Sequence, residues 1–101
     1  MNDRSRLDPK VRKAQMLDCA MAVAAKVGWR RMTRKDIATA CHTSDALVTA
    51  RLGTMEAIRR LVMREAVKRG DTAVLVQGLA ERDRGAMRAP EALKAAARLA
   101  L

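Results

Sequence analysis

The sequence predicts an all-α fold built from three helices, a fourth helix and a short helical C-terminal tail. Apolar residues recur at steps of three and four, which places them on one face of an α-helix. The 101 residues include no Phe, no Tyr and a single Trp. The core must therefore be built from Ala, Val, Leu, Ile and Met, a composition that suits closely packed helices.

The first helix is predicted to begin near Pro9. Proline is tolerated in the first turn, where its missing N–H would be unpaired anyway, and Asp8 before it is a good N-cap. One apolar stripe follows and ends at Gly28, a helix stop. Trp29 comes next, and we expect it to fill the junction between this helix and the following pair.

Two short helices are predicted beyond Trp29. Thr33 and Asp36 have the spacing of a capping box, so a helix should run from about Arg34 to Cys41. The sequence His-Thr-Ser at 42–44 then breaks the apolar pattern.

The third helix needs a cap of its own, and either Thr43 or Ser44 can supply it. This helix should run to about Arg51 and end before Gly53. Thr54 then caps the fourth helix, which continues to about residue 69.

The tail is predicted from weaker patterns. Residues 72–83 fit either a helix or a short strand, and we favour a helix from the context. Pro90 opens an Ala-rich, helix-prone segment that reaches Leu101. We therefore divide the chain into a helical unit at 1–69 and a short helical tail at 70–101, which would serve in dimerisation or packing.

The charge of the chain favours a polyanionic partner. There are 21 Lys and Arg against 11 Asp and Glu, a formal net charge of +10. Nucleic acid is the leading partner and an anionic membrane surface the second. No apolar run is long enough to span a membrane, and the charged N-terminus lacks the apolar centre of a signal peptide, so we expect the cytosol.

Enzyme chemistry has little support in the sequence. The chain has one His, and a catalytic group would need His42, Ser44 and Asp45, which adjoin in a turn. Neighbours in sequence rarely converge on one reacting atom. No ligand pair has the spacing of a known metal site, and there is no Gly-rich phosphate loop. We therefore expect no enzyme activity, no catalytic residue, no metal and no cofactor.

The two cysteines, Cys19 and Cys41, both fall in predicted helices and belong to no CxxC motif. Their spacing favours neither a metal site nor a disulfide framework. We expect two reduced thiols in the core.

The two short helices have the layout of a helix-turn-helix. The second can enter a DNA major groove about 12 Å wide if its front is slim. Val48 and Leu52 should point back at the core. Small or polar residues form the front: Thr43, Ser44, Asp45, Ala46 and Thr49.

Three stretches between about Met16 and Ile58 follow a known pattern: "MLDCAMAVAAKVGW", "MTRKDIATAC" and "TSDALVTARLGTMEAI". They resemble the tetracycline-repressor (TetR-like) family of transcription regulators. The resemblance implies a helix-turn-helix DNA-binding domain and a homodimer on double-stranded DNA. It further implies contacts of three kinds: Thr33 and Arg34 to the backbone, Asp45, Ala46 and Leu47 to bases, and Thr49 and Arg51 along the groove edge.

The chain departs from the family pattern at four positions. His42 replaces the usual glycine of the turn, where a left-handed backbone costs His less than most residues. Thr49 replaces a phosphate-contacting Tyr and Arg51 a second aromatic, while Met55 replaces a Lys. Arg51 can still contact a phosphate, whereas Met55 cannot.

Further basic residues flank this unit. One group should form an arm on the DNA backbone or minor groove, and it consists of Arg4, Arg6, Lys10 and Arg12. A second group should flank the site, and it consists of Arg30, Arg31 and Lys35.

The leading hypothesis is a sequence-specific regulator, most simply a repressor, that binds a pseudopalindromic operator as a homodimer. The chain after Lys68 is too short to enclose a drug-sized pocket, so we expect no small-molecule effector. A longer regulator cut short is one alternative. Others are an accessory DNA-architecture, recombination or packaging protein with weak sequence preference, and a helical protein-interaction adaptor.

Overall fold

A computed structural model describes residues 8–99 of the chain. Within that range the protein forms seven α-helices and no strand, which confirms the all-α class. None of these helices is both long enough and apolar enough to cross a membrane. The helices are α1 (Pro9–Val27), α2 (Arg34–Cys41), α3 (Asp45–Leu52), α4 (Met55–Arg69), α5 (Thr72–Ala80), α6 (Arg84–Met87) and α7 (Glu91–Leu99).

The predicted starts of the long helices are confirmed by their caps. An Asp8 carboxylate oxygen accepts a hydrogen bond from the Lys10 backbone N–H at 2.7 Å, and Pro9 occupies the first turn of α1. The Thr54 hydroxyl accepts from the Ala57 N–H at 3.1 Å at the start of α4. Each cap satisfies a backbone donor that has no partner inside the helix.

The ambiguous segment after residue 71 is a helix, α5. The Asp71 carboxylate caps it by accepting from the Val74 N–H at 3.2 Å. Val74 and Leu75 are fully buried, because α5 packs against α1, α4 and α7. The strand alternative is therefore excluded for this segment.

The short helix α6 was not expected from the sequence. Its four residues are too few to show a helical period. Asp83 caps it by accepting from the Ala86 N–H at 3.0 Å. The cap and the burial of Ala86 against the rest of the core hold this single turn in place.

One hydrophobic core runs through the described residues. Helix α1 packs against α2, α3 and α4, and α5 packs against α4, α6 and α7. Val74, Leu75 and Ala97 of the tail are as deeply buried as Ile37 and Ile58 of the first four helices. These three apolar side chains of the tail therefore pack within the chain.

Trp29 is buried after α1, at only 2% exposed, but its hydrogen bonds go to α4 and α5 and not to the predicted pair, α2 and α3. Its indole Nε1–H donates to the Arg59 carbonyl at 3.0 Å, and its backbone N–H donates to Gln77 Oε1 at 2.6 Å. The Gln77 side-chain amide also donates to the Ala24 carbonyl at 3.1 Å. One tryptophan and one glutamine thus join the end of α1 to both α4 and α5.

Two cations make further ties between helices. Arg69 of α4 donates to Asp18 of α1 at 2.6 Å and to Glu65 at 2.7 Å, and these hydrogen bonds raise the pKa of Arg69 above its ordinary value. The buried Lys94 Nζ donates to the Met87 carbonyl at 2.8 Å, which fixes α7 to α6. Its pairing with Glu91 lowers the pKa of that carboxyl below its ordinary value.

The expectation of two reduced thiols is wrong, because Cys19 and Cys41 form a disulfide. Their Cα atoms lie 5.8 Å apart, and both side chains are half-buried. The bond joins the middle of α1 to the last residue of α2, across the contact between these helices. The absence of a CxxC motif was a poor guide, since tertiary packing brings together residues that are 22 positions apart.

Reduction of this disulfide should lower the free energy of unfolding by about 3 kcal/mol, because the open chain gains entropy when it unfolds. Urea denaturation with and without dithiothreitol measures the difference. The Cys19→Ala/Cys41→Ala variant is the control, since its midpoint should not respond to the reductant. Identical midpoints for the oxidised and reduced wild-type protein, with each state verified by mass, would contradict the prediction.

Gly78 lies where α5 meets α4 and α6. A Cβ atom built on Gly78 would stand 2.8 Å from the Ala86 Cβ and would also collide with the end of the Met63 side chain. The absence of a side chain therefore permits the close approach of α5 to α4 and α6. Helix propensity alone would favour alanine at this position by about 1 kcal/mol.

Gly78→Ala should consequently lower the free energy of unfolding by about 1–3 kcal/mol, since overpacking outweighs the gain in propensity. Urea denaturation tests this, with the exposed Ala73→Gly as a control that reports propensity within the same helix. A Gly78→Ala protein more stable than wild type would show that Met63 repacks without cost.

Candidate nucleic-acid interface

The capping box predicted at the start of α2 is present in both halves. The Thr33 backbone N–H donates to Asp36 Oδ2 at 2.9 Å, and the Asp36 N–H donates to Thr33 Oγ1 at 3.1 Å. The box fixes the first turn of α2 and therefore the position of Arg34. Arg34 is half-buried, its Nε finds no acceptor, and no carboxylate of residues 8–99 forms a salt bridge with it.

The turn between α2 and α3 is closed by His42 in the left-handed conformation, at φ 57° and ψ 48°. Its N–H donates to the Thr39 carbonyl at 3.2 Å, and the Thr43 N–H donates to the Ala38 carbonyl at 2.9 Å. These bonds form the pattern in which helices commonly end on a glycine. His42 therefore builds the turn that the glycine of the family pattern would build.

Of the two capping candidates for α3, the structure uses Ser44. Its hydroxyl accepts from the Leu47 N–H at 3.1 Å, so α3 begins at Asp45. Val48 and Leu52 are buried in the core, as the pattern predicts. Both ends of this eight-residue helix are therefore fixed, by the cap at its start and by Gly53 at its end.

The front of α3 is exposed at Ser44, Asp45, Ala46 and Thr49, which agrees with the predicted slim surface; Thr43 is half-buried. The Thr49 hydroxyl donates to the Asp45 carbonyl at 3.3 Å, one turn earlier in the helix. Leu47 is half-buried and packs on the edge of the core. The resemblance implied that Leu47 faces bases, whereas the structure gives it a mainly internal contact.

Asp45 places a negative charge at the front of α3. No Lys or Arg in the described part of the chain forms a salt bridge with its carboxylate. Its position in the first turn of α3 is favourable, because the positive end of the helix dipole lies there. The carboxylate is thus held at the surface by its helix and is not neutralised by a cation.

The basic residues expected around this surface do not all lie together. Arg51 is half-buried in the last turn of α3, and Lys10 is exposed in the first turn of α1, which also carries Arg12. Arg4 and Arg6 lie outside the described residues. Arg31 and Lys35 have exposed side chains. Arg31 lies before α2, and Lys35 lies in its first turn.

Arg30 is directed elsewhere, to the tail. Its guanidinium carbon lies 5.0 Å from the centre of the Trp29 ring, and it pairs with Glu81 after α5 at 3.7 Å. The Arg30 carbonyl also accepts a hydrogen bond from the Arg59 guanidinium at 3.3 Å. The structure therefore gives Arg30 a packing role at the junction in addition to any contact with DNA.

A metal site is not formed within residues 8–99, where no three His, Cys, Asp or Glu side chains are grouped for a metal ion. The candidate interface consists of the exposed face of α3, Arg34 at the start of α2 and Arg51 in the last turn of α3. Comparisons with family models, with curated proteins and with solved structures find no match for this chain.

His42→Gly should raise the free energy of unfolding by about 0.5–1 kcal/mol, because glycine adopts the left-handed conformation without the steric cost of a side chain. Urea denaturation measures the gain. His42→Ala is the matched comparison and should be less stable than wild type. A loss of stability in the glycine variant would show that the exposed imidazole makes a compensating interaction.

Proposed function

We propose that this protein is a TetR-like, sequence-specific regulator of transcription that binds double-stranded DNA through α2 and α3, most simply as a repressor. The arrangement of α3 carries the proposal. Val48 and Leu52 anchor one face of the helix in the core, while Asp45, Ala46 and Thr49 form an exposed face narrow enough for a major groove.

Charge supports the same partner. The formal net charge of +10 gives general attraction to a polyanion. Arg34 begins α2 and Arg51 lies in the last turn of α3, and neither forms a salt bridge with the other described residues. Guanidinium groups without a carboxylate partner are suited to phosphate oxygens, which set the register of a protein on DNA.

A homodimer is part of the proposal. Two-fold proteins present paired recognition helices one DNA turn apart, about 34 Å, to a pseudopalindromic site. Some large apolar residues of the tail remain exposed, among them Met87 at 43% and Leu99, at the end of α7, at 87%. We propose that pairing involves the end of α7.

The proposed compartment is the bacterial cytosol, where DNA is found. Disulfides are rare there, because glutathione and thioredoxin keep thiols reduced. The Cys19–Cys41 pair would therefore be a dithiol for much of the time. DNA binding should be measured in both thiol states, since the reduced state is the relevant one for this compartment.

The unneutralised carboxylate of Asp45 favours a second candidate, an accessory DNA-architecture protein. A carboxylate is repelled by phosphates unless it accepts a hydrogen bond, for instance from a cytosine amino group. A protein that lacks such a base contact would hold DNA with little sequence preference. This candidate would bind DNA through the same helices as the regulator. It would differ from the regulator in having less sequence preference and in forming assemblies larger than a dimer.

Selection from a pool of random duplexes by the purified full chain, followed by sequencing, tests the proposal. A regulator should enrich one motif with two related half-sites, and light scattering should show two copies on the selected duplex. Binding that ranks all duplexes equally, with assemblies larger than a dimer, would favour the architecture protein. Absence of DNA binding in both thiol states would refute both candidates.

Arg34→Ala/Arg51→Ala should weaken binding to the selected duplex by on the order of a hundredfold, because each guanidinium supplies a charge-assisted contact. The slope of log affinity against log salt should become shallower by about 2. The matched control is Lys26→Ala/Arg98→Ala, which removes the same charge from α1 and α7 and should change the affinity by less than about threefold. Gel shifts over a salt series measure both quantities. Equal losses in the two variants would place the contact outside α2 and α3.

A further inference from the structure

A groove of about 560 Å³ lies between α4 and α6, away from the candidate DNA interface. Its lining includes Arg60 and Arg64 of α4, Arg84 of α6 and Arg88 just after α6, and all four are exposed. No residue of α2 or α3 contributes to its lining. Four arginine residues thus line a single concave surface.

These arginines have no carboxylate partners among residues 8–99. The salt bridges in that range involve Arg30, Arg69 and Lys94, and none of the four groove arginines. Like charges that share a concave surface repel one another, and an anion bound between them would relieve the repulsion. The groove is therefore electrostatically suited to an anion of more than one charge.

Asp83 also lines the groove, but its carboxylate is already engaged. Its Oδ2 accepts from the Ala86 N–H at 3.0 Å as the cap of α6. One carboxylate against four guanidinium groups leaves an excess of three positive charges at the groove.

The floor of the groove is apolar and has room for a ligand body. Met63 is almost fully buried and Val67 is half-buried beneath the arginines. Gly85 adds no side chain there, and a Cβ on it would stand 3.2 Å from Asp83 Oδ2 and 3.7 Å from Met63 Cγ. The volume falls within the range of about 300–1,000 Å³ that is typical of small-molecule sites.

We propose that this groove binds a small molecule that carries an oligophosphate group, with the phosphates held by Arg60, Arg64, Arg84 and Arg88. One guanidinium group can donate two parallel hydrogen bonds to the oxygens of a phosphate, and it can also stack on a planar ring. Val67, which is half-buried, would contact the apolar part of the ligand. The site is an open groove, so it differs from the enclosed effector pocket that the short tail was expected to lack.

Calorimetric titration of the full chain with inorganic tripolyphosphate and with adenosine triphosphate, without DNA or magnesium, tests the site. Both probes should bind. Arg64→Gln/Arg88→Gln should weaken each by on the order of a hundredfold, about tenfold for each guanidinium. Lys26→Gln/Arg98→Gln, which lowers the net charge equally outside the groove, should stay within about threefold of wild type. Circular dichroism verifies that both variants are folded.

The two probes distinguish an inorganic oligophosphate from a nucleoside oligophosphate as the ligand of the groove. Tighter binding of adenosine triphosphate would show that the apolar floor takes a nucleoside body, and equal affinities would assign the site to inorganic oligophosphate. Failure of both probes to bind, or equal weakening by the two variants, would overturn the proposal. Loss of DNA affinity in the Arg64→Gln/Arg88→Gln protein without probe binding to wild type would overturn it too, and would make the groove part of the DNA surface. Because the titration contains no DNA, its result is independent of the regulator proposal.

Discussion

The burial of Trp29 is the constraint on which the rest of the fold depends. Its ring is the largest side chain in a core otherwise made of aliphatic residues and methionine, and its indole N–H is satisfied by the Arg59 carbonyl of α4. Its backbone N–H is satisfied by Gln77 of α5. Leaving a buried donor unpaired costs about 1–3 kcal/mol, so the bond from Trp29 to Gln77 stabilises the contact of α5 with the segment after α1. The tail is therefore joined to the first four helices by hydrogen bonds as well as by packing.

The orientation of α3 follows from its neighbours more than from its own sequence. Isolated helices of eight residues are not stable in water, because nucleation costs more than so few hydrogen bonds return. Val48 and Leu52 hold one face, while Ser44 and Gly53 fix the ends. The Cys19–Cys41 bond adds a covalent tie between α1 and the residue just before the turn. A helix this short can keep a defined direction only because α1 and α2 pack against it.

The features that sequence predicted well are the ones made by residues within four positions of one another. The Thr33–Asp36 box, the Asp8 cap and the Thr54 cap are local hydrogen bonds, so composition and spacing suffice to find them. Exposure of Asp45 and Thr49 and burial of Val48 follow in the same way from the helical period. Helix α6 was not predicted, because a helix of one turn is too short to show a periodic pattern of apolar residues.

Contacts between distant segments could not be predicted, because no local pattern specifies them. The disulfide, the bonds of Gln77 to Trp29 and Ala24, and the Arg30–Glu81 pair each join residues that only the packed fold brings together. The arginine groove is a further case, since α4 contributes half of its cations and the region of α6 the other half. On the sequence these arginines are ordinary residues of solvated helix faces.

The acidic residues form salt bridges with cations in some parts of the protein and not in others. The salt bridges among residues 8–99 lie in α1, α4 and α7 and in the segments that follow α1 and α5, where they neutralise Arg30, Arg69 and Lys94. None of them reaches α2, α3 or the groove. The Lys and Arg residues outside these salt bridges therefore include Arg34 and Arg51, in α2 and α3, and the four arginines that line the groove. An exposed helix suits a long polyanion that lies along the protein, and a groove suits a compact one that enters it, because the shape of a surface selects among anions that charge alone would attract equally.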